Sequence, residues 1–94
     1  MNRKAADMGR LINIGFGNVV NSDKIVAITS PDSAPVKRMV QKARDEGITI
    51  DCTQGRKTKA VIVMENNQLV LSALLSDTIV NRFYAKDGNE EHGS

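Results

Sequence analysis

Three cationic side chains and a hydroxyl stand together near the middle of this 94-residue sequence. Arg56, Lys57, Thr58 and Lys59 directly follow Gly55. An arginine guanidinium forks onto phosphate oxygens or a guanine edge, a lysine acts as a point charge, and a threonine hydroxyl can donate to a phosphate. Because a turn between two strands exposes its side chains, this segment predicts a DNA-binding site. A solvated surface loop is the alternative, since a short basic turn is not a specific signal.

Two glycine-containing segments are similar to nucleotide-binding motifs but do not match them. Residues 55–58 lack the P-loop spacing, which requires glycine directly before Lys-Thr, where this chain has Arg56. Gly15 and Gly17 lack the third glycine of the dinucleotide motif, because Val20 stands in its place. Both segments are therefore interpreted as structural turns.

The residues most used in catalysis are scarce. Cys52 is the only cysteine and His92 the only histidine, and neither has a partner at a motif spacing. No carboxylate pair or metal-ligand cluster is present in the sequence pattern. The sequence predicts a non-enzymatic protein with no cofactor, no metal and no small-molecule substrate. A single cysteine permits no intrachain disulfide, which fits the cytoplasm.

The charge of the chain is unevenly distributed. Residues 1–60 contain 11 Lys or Arg and 6 Asp or Glu, whereas residues 61–94 contain 2 and 5, so a net +2 conceals a basic part and an acidic part. A localised basic surface suits an anionic partner. The chain has no Trp, one Tyr and two Phe, which disfavours single-strand readers because these stack bases on aromatic rings. No apolar stretch reaches the roughly 18 residues of a membrane span, so no membrane partner is expected.

The elements that must position the basic turn follow from periodicity and turn residues. Short β segments are predicted from Leu11 and at residues 25–29, 48–52, 60–64 and 69–74. A first helix is predicted from a cap at Ser33 or Asp32 to about Glu46, and a second from a cap at Ser76 or Asp77. Four residues of the second helix are expected to share one face: Ile79, Val80, Phe83 and Tyr84.

These elements predict an α+β fold with a mostly antiparallel sheet of four to five short strands and two helices. One domain is expected over residues 10–86, preceded by a flexible extension at 1–9 and followed by a disordered acidic tail at 87–94.

The strand at residues 60–64 is apolar at every position rather than at alternate ones. Such a strand is buried on both faces of its sheet. Two short helices can hardly cover both faces in a chain of this length, so a second copy of the chain is expected to complete the cover. The sequence therefore predicts a homo-oligomer.

Several strings resemble the RemA family of small bacterial regulators of extracellular-matrix genes. They are LINIGFGN at 11–18, SPDSAPVKRM at 30–39, ARD at 43–45, ID at 50–51, GRKTKAV at 55–61 and LS at 71–72. The resemblance covers about residues 10–84. It implies a DNA-binding transcriptional activator of biofilm-matrix and osmoprotection operons, nucleoid-associated in the cytoplasm, that forms ring-like oligomers.

The resemblance also implies site residues. The functional basic positions of the family match Lys24, Arg56, Lys57 and Lys59, and Pro35 matches a further position important to function. Family members often carry arginine where this chain has lysine, which keeps the charge but not the bidentate geometry. Contact with phosphate is therefore the stronger expectation, and base-specific readout the weaker one.

Together, residues and resemblance predict an oligomeric regulator that binds double-stranded DNA multivalently through a repeated basic turn. Two alternatives stay open at this point. One is a module that binds RNA or single-stranded DNA, and the other is a protein-interaction scaffold without nucleic-acid binding.

Overall fold

A computed structural model of the chain describes residues 11–85. It contains six short strands, two helices and one 3-10 turn. The strands are β1 (Leu11–Gly15), β2 (Asn18–Asn21), β3 (Ile25–Thr29), β4 (Thr49–Asp51), β5 (Ala60–Met64) and β6 (Leu69–Ser72). The helices are α1 (Ala34–Asp45) and α2 (Ser76–Ala85), and the 3-10 turn is Ser22–Lys24. The predicted extension at 1–9 and tail at 87–94 lie outside the described residues.

The strands form two sheets rather than the single sheet expected. Four strands pair in the order β3-β5-β6-β4, while β1 and β2 pair only with each other. The α+β class and the mostly antiparallel pairing are confirmed, and the larger sheet has four strands; the separate two-stranded sheet was not predicted. The sharp turn at residues 15–17 folds β1 back onto β2, so that the two strands form their own hairpin.

One strand pair is parallel, and α1 is the reason. β4 runs parallel to β6, whereas β5 is antiparallel to both β3 and β6. Parallel strands need a long connection, usually a helix, to return the chain to its starting end. Helix α1 provides this connection between β3 and β4, so the two edge strands of the sheet run in the same direction.

The boundaries of α1 are set by local chemistry. The Ser33 hydroxyl accepts a hydrogen bond from the Val36 amide at 3.3 Å, which confirms Ser33 as the cap, and Pro35 lies in the first turn. At the other end Gly47 has a positive φ of 74°, its amide donates to Arg44, and the Ile48 amide donates to the Ala43 carbonyl. This is the Schellman arrangement that commonly ends a helix at glycine.

Helix α2 begins at Ser76, so its capping position is Leu75, one residue before the two predicted caps. The Leu75 carbonyl accepts from the amides of Thr78 and Ile79, and Ser76 is already helical, so neither Ser76 nor Asp77 is the cap. Of the predicted apolar face, Ile79 is fully buried, whereas Tyr84 is 72% exposed.

Two apolar layers enclose the four-stranded sheet. On one face α1 packs Ala43 against Val61, Leu69 and Leu71. On the other face the β1-β2 hairpin and α2 cover a second cluster of buried residues: Ile12, Ile14, Val20, Ala60, Ile62, Val70 and Ile79. Burial of β5 on both faces is thereby confirmed over its first three residues.

The elements that bury β5 differ from those expected. The argument for a partner counted two helices only, but the β1-β2 hairpin joins α2 on the second face. The buried part of β5 therefore needs no second copy. Self-association stays a prediction, and its support must come from other surfaces.

Ser72, at the end of β6, joins three parts of the chain. Its fully buried hydroxyl donates to the Ile14 carbonyl at 2.8 Å and accepts from the Leu74 amide at 3.0 Å. Its own carbonyl accepts from the Lys59 amide at 2.8 Å. The hairpin, the start of the α2 connection and the basic segment thus meet at one residue.

We expect Ser72→Ala to lower the free energy of unfolding by about 1–3 kcal/mol, because the substitution removes the partners of a buried carbonyl and of an amide. Ser22→Ala is the matched control. The Ser22 hydroxyl is also buried but has no hydrogen-bond partner among the described residues, so its loss should be nearly neutral. Urea unfolding of the two variants measures the difference, and equal costs would contradict the role given to Ser72.

Candidate nucleic-acid interface

The predicted basic turn lies in the connection between β4 and β5, which comprises residues 52–59. The Cys52 amide donates to the Leu71 carbonyl at 2.9 Å, and the Lys59 amide donates to the Ser72 carbonyl at 2.8 Å. Both ends of the connection are thus tied to the end of β6. Residues 55–59 of this connection are called the basic loop.

A tight turn at residues 53–56 fixes the start of the basic loop. The Arg56 amide donates to the Thr53 carbonyl at 2.9 Å, and both Gln54 and Gly55 have positive φ angles, of 54° and 79°. Two positive φ angles at the centre are characteristic of a type I′ turn, which is tight and favours glycine. The backbone that carries Arg56 is therefore fixed rather than freely hinged.

Thr53 and Asp51 lock this turn to β4. Thr53 is 2% exposed, and its amide and hydroxyl both donate to Asp51 Oδ1, at 2.9 and 2.6 Å. The hydroxyl hydrogen bond is the largest cause of a lowered pKa of Asp51; the amide hydrogen bond and the Arg44 charge add to it, and desolvation opposes it. The carboxylate is held in its charged form beneath a cationic loop.

The side chain of Arg56 lies beside an aromatic ring. Its Cζ atom is 5.7 Å from the centre of the Phe16 ring, within the range of a cation–π contact. Phe16 occupies the tip of the β1-β2 hairpin with a positive φ of 53° and is half exposed. A left-handed backbone is rare for a bulky residue, so the hairpin holds this ring in place at some cost in strain.

The hairpin tip is itself anchored near the basic loop. Asn13 accepts from the Gly15 amide, and Asn18 donates to the Gly15 carbonyl. At φ of 105°, Gly15 packs so closely on Leu74 that a Cβ would approach its Cγ to 3.3 Å. The interpretation of this segment as a structural turn is confirmed, but the sequence argument missed Phe16. The signal available was a single aromatic residue between two glycines.

The three cations of the basic loop are exposed and have no acidic partner. Arg56, Lys57 and Lys59 all face solvent, while Thr58 is half-buried. Between residues 11 and 85, no carboxylate lies within ion-pair distance of them; the ion pair recorded there joins Lys24 to Glu65. The loop therefore presents unneutralised positive charge on a fixed backbone.

Lys24 lies apart from the basic loop. It ends the 3-10 turn just before β3, its carbonyl accepts from the Glu65 amide, and its ammonium lies 3.5 Å from the Glu65 carboxylate. Ile25 pairs with Met64 at the far end of β5, whereas Lys59 precedes the near end. The length of β5, about 16 Å, separates the two within one protomer.

The remaining chemistry of the described residues is limited. Cys52 is half-buried, and desolvation, aided by the Asp51 charge, raises the pKa of its thiol, which leaves it a poor nucleophile at neutral pH. No group of three metal-ligating side chains occurs between residues 11 and 85. No helix in this part of the chain is both long and apolar enough to cross a membrane.

Comparison with known proteins gives the family. Residues 11–83 match the profile of the RemA-like family, described as extracellular matrix regulatory protein A-like. The chain belongs to the RemA-like family. It is a family of regulatory proteins, which implies a non-enzymatic role.

Bacterial relatives of similar length support the assignment. The chain is 58% identical over 85 residues to a protein of Lachnoclostridium phytofermentans, which covers 90% of this chain and 93% of that protein. It is 52% identical over 82 residues to one of Alkaliphilus metalliredigens, with 87% and 88% covered. It is 46% identical over 86 residues to one of Geobacillus kaustophilus, with 92% and 99% covered. The names of all three describe candidate regulatory proteins.

We expect Asp51→Asn to destabilise the RemA-like chain by about 0.5–1.5 kcal/mol at neutral pH, because two hydrogen bonds lose their charged acceptor. A carboxyl whose pKa is lowered by folding stabilises the native state above its unfolded pKa, and this contribution disappears as the pH falls through the folded value. The difference between wild type and variant should therefore shrink on acidification.

Urea unfolding at a series of pH values from neutral to acidic measures this difference. Asp32→Asn is the control, because Asp32 accepts a hydrogen bond from one exposed serine hydroxyl. A cost of Asp51→Asn that does not change with pH would show that the charge of Asp51 does not hold the turn.

Proposed function

We propose that this RemA-like protein is an oligomeric transcriptional regulator that binds double-stranded DNA through the basic loop, with Arg56, Lys57, Thr58 and Lys59 as the contacting residues. One observation carries the proposal: the loop holds three exposed cations without acidic partners on a backbone fixed at both ends. A preorganised cationic loop binds a polyanion without first losing its own conformational freedom.

The chemistry of the loop suits phosphate. Charge-assisted hydrogen bonds from arginine and lysine to phosphate oxygens are short and strong, and they fix the orientation of a protein on a duplex. Phe16 lies beside the Arg56 side chain and limits its freedom. The guanidinium thus faces its target from a defined position, which lowers the entropy lost on contact.

One observation favours the single-strand alternative. Phe16 is a half-exposed aromatic ring next to cations, and proteins that bind single strands stack bases on such rings. It is a single ring, however, and Arg56 lies over it. Duplex DNA is therefore the proposed partner, and competition between duplex, single-stranded DNA and RNA decides between them.

Multivalency supplies the affinity that one loop lacks. Three cations per subunit support few phosphate contacts, whereas linked copies make each later contact intramolecular. Two features favour self-association: β3 and β4 are edge strands of the sheet, and large apolar side chains are exposed. They are Leu11, Phe16, Val19, Val26, Ile50, Leu75 and Tyr84.

Edges on opposite sides of one sheet favour head-to-tail contacts, which form a ring when the rotation between successive subunits closes. Lys24 takes part in DNA binding, on this proposal, only across such a subunit boundary, since it lies at the far end of β5 from its own basic loop. The genes proposed as targets are those of the extracellular matrix and of osmoprotection, and the site of action is the cytoplasmic nucleoid. The description of the family as a matrix regulator supports the first of these.

We expect Arg56→Ala to weaken binding to a long duplex by tenfold or more, because each engaged subunit loses one charge-assisted contact. Its thermal stability should stay within about 0.5 kcal/mol of the wild type, as is usual for exposed positions. Arg38→Ala, which removes an exposed arginine of α1, is the matched control. Mobility-shift titrations measure affinity, and equal affinity of Arg56→Ala and wild type would refute the proposed site.

Salt dependence tests the multivalent mechanism. One basic loop with three phosphate contacts gives a slope of log affinity against log salt of about −2.7, because each contact contributes about −0.9. An oligomer should exceed that value on long duplexes and fall to it on duplexes that span one loop. Light scattering should report a multiple of 10.2 kDa. A monomer with the single-loop slope at every duplex length would contradict the mechanism.

A further inference from the structure

A second cationic surface adjoins the basic loop on the side of α1. A groove runs between this helix and the loop, and it is called the α1 groove here. It is lined by Pro31, Asp32, Lys37, Val40, Gln41, Arg44, Lys57 and Thr58. Lys57 also lines the depression on the other side of the loop, beside Phe16 and Arg56. The basic loop is therefore a ridge with cations on both flanks.

The α1 groove contains more cationic than anionic side chains. Three of its residues are cationic, namely Lys37, Arg44 and Lys57. Its one carboxylate, Asp32, accepts a hydrogen bond from the Ser30 hydroxyl at 3.0 Å. Between residues 11 and 85, none of the three cations lies within ion-pair distance of a carboxylate. The groove can therefore accept an anion without first breaking an internal ion pair.

The helix presents these cations on one side only. Lys37 and Arg44 are seven residues apart, which is about two turns and about 10.5 Å along the axis. They flank Val40 and Gln41 in the groove, whereas Arg38 and Lys42 point about 120° away around the same helix. The cations of α1 thus fall into two pairs of equal charge, one facing the basic loop and the other facing away from it.

We propose that the α1 groove is a second phosphate-binding surface, in which Lys37 and Arg44 contact the backbone of the same DNA duplex that the basic loop binds. The proposal rests on the proposed function and extends it to a helix. With Lys57 shared between both flanks, the duplex backbone crosses the ridge and continues into the groove. The spacing of Lys37 and Arg44 lets them reach two different phosphates.

The two pairs on α1 provide an internally matched experiment. The double variant Lys37→Gln, Arg44→Gln removes two positive charges from the groove. Arg38→Gln with Lys42→Gln removes the same charge from the opposite side, and glutamine keeps helix propensity in both. The groove variant should bind a long duplex about tenfold or more weakly and lower the salt slope by about 1.8 per engaged subunit. The control should leave the slope unchanged.

Arg56→Ala, measured in parallel, separates failure of the inference from failure of the proposed function. Loss of binding in Arg56→Ala with an unchanged groove variant overturns the groove assignment and leaves the basic loop intact as the DNA site. Wild-type affinity in both variants overturns the proposed function as well. Light scattering on each variant identifies a groove that acts in subunit contact: a change of mass in the groove variant alone overturns its assignment to DNA.

Free phosphate is the other source of the same ligand chemistry. Inorganic phosphate is titrated into the wild type at constant ionic strength while the backbone amide signals of Lys37 and Lys57 are followed by NMR. Shifts that saturate, together with unchanged DNA affinity in the groove variant, assign the groove to a small phosphate ligand and overturn the proposal. Loss of DNA affinity and slope in the groove variant supports it.

Discussion

The hydrogen bonds of Ser72 are the interaction on which the arrangement of the site depends. The buried hydroxyl ties β1 to the end of β6, and the carbonyl of the same residue ties the basic loop to that end. The apolar cluster between the hairpin and the sheet holds the two sheets together, and these hydrogen bonds fix the position of the Phe16 hairpin relative to the loop that carries Arg56. Because the Ser72 hydroxyl and the Ile14 carbonyl are 58 residues apart in the sequence, the contact is a property of the tertiary fold.

The carboxylates of Asp51 and Asp32 make hydrogen bonds with hydroxyl groups instead of ion pairs with the basic loop. Asp51 accepts from Thr53 and Asp32 accepts from Ser30, and neither forms an ion pair with the basic loop. The lowered pKa of Asp51 shows that its anionic form is the stabilised one. The cations of the basic loop have no ion-pair partner between residues 11 and 85, while the fold keeps its local hydrogen bonds.

Local chemistry could be predicted from the sequence, and long-range pairing could not. The Ser33 cap, the stop at Gly47 and the buried β5 follow from residue types within a few positions of one another. The two-sheet division, the parallel β4 and the contact between Phe16 and Arg56 depend on which distant segments meet. The place of Lys37 and Arg44 beside the basic loop could not be predicted either, since helical periodicity does not reveal what lies opposite a helix face.

Two main-chain hydrogen bonds to β6 hold the connection that contains the basic loop, and this arrangement has an evolutionary consequence. The connection between β4 and β5 is tied to the sheet by main-chain amides, and its buried side chain, Thr53, precedes the basic loop. Residues 56–59 can therefore be exchanged with little effect on the core. If the loop binds DNA as proposed, its recognition can diverge in this segment while the scaffold stays the same, so that a few substitutions can give new operator preferences.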